Sequence, residues 1–343
     1  MFYYIVRRVL SVVVMLFLIT GTTFLLFFAG TTDPARYTCA RNCTPAILEG
    51  NRKALGYDQP VYLQYGKFIS GLLVGRDYPD NAELRASHPE QIVHCPAPCM
   101  GYSPTTNQTI NTMVTKAWPV SLSIAIGAFV IWMVIGVGGG VLAALNRGRW
   151  PDRVIVGSAL VGFSVPTFFI GLILLTFPAI KWGWVPIPHY FPFTKNPITW
   201  AMNLILPWLT LACIFAASYI RLTRAYMIET MSEDYIRTAM AKGQTRWRII
   251  LRHGLRAALT PIVTAAGLDL GGLLGGAIIT ESVFSMQGLG WTAVNSVKNM
   301  DLPVIVAMVL IVSTFIVVAN MLVDIAYGPV SYTHLTLPTN REV

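Results

Sequence analysis

Of 343 residues, 16 are Asp or Glu, five are His and five are Cys, and their spacing selects few reactions. No carboxylate pair, no nucleophile beside a base and no helix with metal-ligand spacing stands out. A G-x-x-x-x-G-K-[ST] phosphate loop is also absent, so the chain has no recognisable means of hydrolysing ATP. No catalytic residue, metal ligand or cofactor is assigned to it. Four cysteines form two C-x-x-x-C stretches, Cys39 with Cys43 and Cys95 with Cys99. These lack the C-x-x-C spacing of zinc sites, and His88 and His94 are not arranged as in a finger. Disulfides are therefore expected if the segment lies in an oxidising compartment, with three connectivities open. Cys213 reads as a small packing residue.

Ionisable groups within apolar stretches are costly and point to a pathway or a helix interface. Asp269 lies among glycines and reads either as a pathway-facing acid or as an internal packing partner. Glu281 and Asp324 fall near the ends of apolar stretches, where water or a helix-end partner could satisfy them. Gly271, Gly272, Gly275 and Gly276 would let helices approach closely, and Gly136, Gly138, Gly139 and Gly140 would do likewise.

The elements carrying these residues follow from composition. With 54% hydrophobic and 12% charged residues, a water-soluble globule is excluded. Six stretches reach the length of a spanning helix: 9–29, 118–145, 154–180, 201–220, 261–283 and 303–326. The first exceeds the apolar core of a signal peptide and reads as a retained anchor. Basic residues alternate between loops: Arg7 and Arg8 come before the first span, Arg147, Arg149 and Arg153 after the second. After the fourth come Arg221, Arg224, Arg237, Lys242, Arg246, Arg248, Arg252 and Arg256. These loops are expected to be cytoplasmic, with both termini inside and the mixed-charge segment 30–117 outside. The net charge of +9 is thus a topology signal and implies no nucleic-acid partner; membrane lipid is the surrounding partner.

The loop 221–260 is too long and too patterned for a simple connector. Thr230 and Glu233 have capping-box spacing, predicting a helix start. Tyr235 with Ala239, and Ile236 with Met240, fall at i and i+4 and predict an apolar stripe, with Glu233, Arg237 and Lys242 around it. Gly243 suits a left-handed stop. Thr245 can then cap a second helix with a basic row at Arg248, Arg252 and Arg256. Trp247, Leu251, Leu255 and Ala258 lie on another side, and Pro261 marks a bend or restart. A short helix of this kind fits either another protein's groove or the lipid headgroups.

The stretch EDYIRTAMAKGQTRWRIILRHGLRAALTPIV, from Glu233, resembles the cytoplasmic signature loop of permease subunits of binding-protein-dependent ABC importers. The likeness is to the dipeptide and oligopeptide (peptide/nickel) branch and its B-type permeases. TESVFSMQGLGWTAVNSVKNMDLPVIVAMVLI from Thr280, NMLVDIAYGPV from Asn320 and ALGYDQPVYLQYGKFISGLL from Ala54 resemble further segments of that branch. The resemblance implies an all-α membrane protein with six transmembrane helices in the type I ABC importer permease fold, located in the bacterial plasma (inner) membrane. It also implies that Glu233, Tyr235, Arg237, Ala239, Ala241, Lys242 and Gly243 couple the chain to an ATPase. The partners it implies are a second homologous permease, two ATPase domains or one tandem ATPase chain that bind ATP and Mg, and an extracytoplasmic substrate-binding protein. Dipeptides or oligopeptides are the implied cargo.

The chain departs from that pattern in two places. The stretch from Arg76 to about Pro104 enlarges the first extracytoplasmic loop, and after Val330 the sequence SYTHLTLPTNREV replaces the usual D-P-R run. The organisation read from the sequence is thus an N-terminus and first span at 1–29, a loop region with two Cys pairs at 30–117, and a five-helix core at 118–330. Residues 331–343 read as a non-native tail. The alternatives are an ion- or proton-coupled secondary transporter, which would need ionisable groups and broken helices at membrane depth, and an importer of the same family for nickel complexes.

Overall fold

A computed structural model describes residues 2–29, 33–38 and 44–332, with side chains described over 6–28, 33–38 and 44–322. Cys39 and Cys43, the side chain of Asp324 and residues 333–343 of the expected tail lie outside these. The described chain is predominantly helical. Its long helices expose large apolar side chains, such as Leu10 at 63%, Val134 at 68% and Val161 at 66%, as lipid-facing helices do.

The chain divides into two compact units, Met1–Pro119 with Gln287–Val343, and Val120–Met286. In the first, α1 (Phe2–Phe24) continues into a π-helical turn at Leu25–Ala29. Next come α2 (Pro45–Leu55), α3 (Val61–Val74), β1 (Arg76–Tyr78), α4 (Ala82–Ser87), β2 (Val93–Cys95), β3 (Tyr102–Ser103) and β4 (Gln108–Thr109). The strands form two small antiparallel pairs, β1 with β2 and β3 with β4. The caps are local: Thr44 accepts from the Ile47 amide and Pro45 opens α2, while Asn81 accepts from Glu83 and Leu84 at the start of α4. α5 (Ile110–Leu145) starts in this unit and ends in the second. α13 (Leu289–Lys298) and α14 (Leu302–Tyr332) return to the first unit. There Phe24, Phe28 and Phe68 bury against Leu302, Ile305 and Val306.

The enlarged loop folds around one buried carboxylate. Asp80, whose side chain is 8% exposed, accepts from Lys67 at 2.6 Å and from Arg76 at 2.8 Å. Burial opposes its charge, but the hydrogen bonds from Lys67 and Arg76 outweigh that and hold its carboxyl below the usual carboxylate range. Cys95 and Cys99 are joined in a disulfide, the local pairing among the connectivities left open. The Cys99 amide donates to Gly71, and Asn111 bonds the backbone at Pro96, Pro98 and Met100. The bridged turn thereby fastens the end of α3 to the start of α5.

The second unit contains the rest of α5, α6 (Trp150–Ser164), α7 (Thr167–Leu174), α8 (Pro197–Met231), α9 (Asp234–Ala241), α10 (Arg246–Arg248), α11 (Arg256–Leu274) and α12 (Ile278–Val283). π-helical turns lie at Leu175–Lys181 and Ile249–Leu255. Asn196 caps α8 by accepting from Ile198 and Thr199, with Pro197 opening the helix.

Among the described residues, five helices are long and apolar enough to cross a membrane, and a sixth crossing requires a bent pair. That pair corrects the third expected span. α6 and the segment Thr167–Lys181 meet at 97°, because Pro166 forces Val165 into extended backbone. The fifth expected span is corrected at both ends. α11 runs uninterrupted through Pro261, then stops at Leu274, and Gly276 takes φ +119° before α12 begins. A proline removes one amide donor, a loss that membrane helices absorb, whereas a positive φ ends the helix.

Candidate coupling site

The short helix α9 follows α8 after only two residues. Thr230 does not cap it, because α8 carries Thr230 in helical backbone and a cap requires an extended residue. Glu233 supplies that residue, with φ −68° and ψ 150°, but its side chain makes no capping bond. The stop is as the sequence predicts. Gly243 has φ +72°, its amide donates to Met240, and the Gln244 amide donates to Ala239. This pair of bonds is a Schellman closure, which the left-handed residue makes possible.

The expected stripe is split between two faces. Ile236 and Ala239 are buried with Ile249 and Met231, so Ala239 packs α9 against its own chain. The buried pair is i and i+3, while Tyr235 and Met240, their expected i and i+4 companions, are exposed. Glu233, Tyr235, Arg237, Ala241, Lys242 and Gly243 all face outward. Partial burial and the nearby Glu233 raise the Tyr235 phenol above its ordinary value, so it presents a neutral hydroxyl. Arg237 meets Asp234 at 3.2 Å with both side chains largely exposed, a pair that adds little stability.

The second expected helix is reshaped by the π turn. Wider winding over Ile249–Leu255 buries Ile249, Ile250 and Gly254, and leaves Leu251 exposed while Ala258 is buried. The side expected to hold Trp247, Leu251, Leu255 and Ala258 together is therefore not continuous. Trp247, Leu251, Met240 and Tyr235 are exposed, as are Arg246, Arg248 and Arg252. Thr245 occupies the N-cap position without a side-chain bond. His253 and Gln244 meet at 2.9 Å, bracing the link after α9.

Asp269 is a packing partner here. The Tyr219 hydroxyl of α8 donates to Asp269 of α11 at 2.6 Å. Glu281 is fully buried and accepts from Ser121 at 2.7 Å, a partner on another helix rather than water. The glycines also separate into classes. A Cβ on Gly136 would strike Tyr219, and one on Gly140 would strike Thr223 and lie 2.8 Å from the Ile220 carbonyl. Gly138 and Gly272 face open space, while Gly275 and Gly276 end α11. Cys213 is free and exposed on α8, which corrects its reading as a packing residue.

Two contacts had no signal in the sequence. A Cβ on Gly127 would overlap the Trp208 ring, so only glycine fits there. Asp152, buried among basic neighbours in sequence, forms a two-point ion pair with Arg224. An acid within an arginine-rich turn reads simply as a solvated charge.

A family model described as "binding-protein-dependent transport system inner membrane component" matches residues 136–330, and its N-terminal counterpart matches residues 1–125. The chain belongs to this permease family. The glutathione transport system permease protein GsiC of Escherichia coli (strain K12) is 35% identical over 328 residues, covering 96% of this chain and 97% of that one. GsiC of Shigella dysenteriae serotype 1 gives the same values, and that of Escherichia coli O6:H1 is 33% identical over the same length. The structure titled as inward facing conformations of the MetNI methionine ABC transporter is 17% identical with a TM-score of 0.47, covering 65% of this chain and 96% of that one. This permease is a helical ABC importer subunit of the peptide branch, an inner membrane component of a binding-protein-dependent transport system. Membership replaces the alternative of an ion- or proton-coupled secondary transporter.

Proposed function

We propose that this permease forms half of a translocation pathway for small peptides and that α9 couples it to a separate ATPase. The observation carrying this reading is the geometry of α9: buried on one side by Ile236 and Ala239, and open on the other at Tyr235, Ala241 and Lys242. An ATPase cleft closing on that open side would move α9, and α8 is its nearest attachment. Glu233 and Arg237 are rim contacts. ATP and Mg belong to the ATPase partner, supplied as two domains or one tandem chain, and this chain contributes no cofactor. A second homologous permease completes the pathway. The loop 221–260 and both termini face the cytoplasm, placing the Cys95–Cys99 region outside, where its disulfide is stable.

A peptide cargo is supported by full-length similarity to permeases named for glutathione transport, since glutathione is a tripeptide. The test is ATP-dependent uptake of labelled glutathione and dipeptides into liposomes holding the whole complex with its binding protein. Uptake of at least one, lost in Gly243→Pro, is expected. Peptide uptake that continues unchanged in Gly243→Pro rejects the coupling role, and no uptake of either cargo rejects the peptide reading.

A further inference from the structure

Asp152 joins three elements at one point. Its Oδ1 accepts from Arg224 Nε at 2.6 Å and its Oδ2 from Arg224 Nη2 at 2.8 Å. Oδ2 also accepts from the Gly148 amide at 2.8 Å, within the turn that leads from α5 into α6. The Asp152 side chain is only 5% exposed and that of Arg224 is 30% exposed. A two-point guanidinium–carboxylate bond fixes orientation as well as distance. Losing one partner would leave a buried charge uncompensated.

The position of this bond gives it a mechanical role. α6 and α8 run antiparallel, with Ile155, Ala159 and Gly162 of one meeting Ile220, Ala217 and Cys213 of the other. Those contacts are small, being apolar between Ile155, Ala159, Ala217 and Ile220 and placing Gly162 against the Cys213 carbonyl, and they allow sliding. The ion pair sits at the α9 end of this seam, about 10 Å, or two helical turns, before α8 ends. Beside it Met227 packs with Ile250, Leu145 and Met231, and Met231 also touches the Ile236 and Ala239 face of α9. Packed groups thus lead from α9 along α8 to Leu145 at the end of α5, from which the Gly148 turn enters α6.

We infer that Asp152 and Arg224 are positioning residues for transport, a tie that makes α6 move with α8 when α9 is displaced. The inference rests on α9 being the ATPase contact. With the tie cut, α8 would respond to the ATPase while α6 and the bent segment after it lag, so hydrolysis would continue without proportionate import.

The test uses the full complex in liposomes with its binding protein, comparing wild type, Asp152→Asn, Arg224→Lys and Ala241→Trp. Asparagine keeps the size and the Gly148 acceptor while removing the charge. For Asp152→Asn, glutathione or dipeptide imported per ATP should fall about tenfold, with hydrolysis and ATPase retention within about twofold of wild type. Arg224→Lys, which keeps the charge but loses the fork, should give an intermediate ratio. Should Asp152→Asn fail to assemble, Arg224→Lys decides alone by the same ratio. An unchanged ratio, or import and hydrolysis falling in parallel, overturns the tie. Ala241→Trp should strip the ATPase from the complex. If it does so while the Asp152→Asn ratio stays unchanged, the tie alone is wrong; if Ala241→Trp leaves ATPase retention and import intact, the α9 reading and the tie fall together.

Discussion

Asp80 is a carboxylate whose folded state holds it ionised against burial, and its sign of pH dependence follows. Because its folded value lies below the ordinary 3.8, it stabilises the loop above that pH, and this contribution is lost as pH falls through the folded value. Thermal melts of the purified protein at pH 3 to 6 should show wild type losing stability at the acid end and Asp80→Asn losing less. At neutral pH Asp80→Asn should cost about 2 kcal/mol, since Lys67 and Arg76 lose their counter-charge and one of two acceptor oxygens, while Lys67 can regain water. At Gly140 the constraint is space. Gly140→Ala must displace Thr223 or the Ile220 backbone, an overpacking cost of about 1–3 kcal/mol. Gly138→Ala faces nothing within 4 Å and should melt like wild type. Equal melting temperatures for the two variants would contradict this packing.

At the scale of elements, α9 depends on how it stops. Proline cannot adopt the φ of +72° at Gly243 and has no amide to donate to Met240. Gly243→Pro should therefore remove the α9 closure while α1, α5 and α8 still insert, seen as normal membrane abundance with lost peptide uptake. Gly243→Ala keeps the amide and meets open space, so its cost is backbone strain of about 1 kcal/mol. Its uptake should remain within a few fold of wild type. The Cys95–Cys99 bridge closes a short loop, so Cys95→Ser with Cys99→Ser should cost about 2 kcal/mol. Faster proteolysis of the 76–110 segment would report that loss.

At the scale of the whole molecule, the proposed pathway needs a second permease. Native mass spectrometry of the solubilised complex should find one copy of this chain, one homologous permease and two ATPase domains. Finding two copies of this chain and no other permease would redirect the proposal to a homodimeric pathway.

The number of apolar stretches, the alternation of basic loops and the Gly243 stop were legible in the sequence. Each rests on composition or on the backbone preference of a single residue. The family was legible too, because several ordered segments matched together. The faces of α9 were not: burial of Ala239 depends on Ile249, across the Gly243 turn, and no i and i+4 rule contains that neighbour. Nor was the 97° bend after α6, because Val165 and Pro166 lie inside a run apolar enough to read as one span. Distant pairing decided the rest. Asp152 with Arg224, Ser121 with Glu281 and Tyr219 with Asp269 are 72, 160 and 50 residues apart. A charge in sequence announces only its cost of burial, and packing chooses the partner that offsets it.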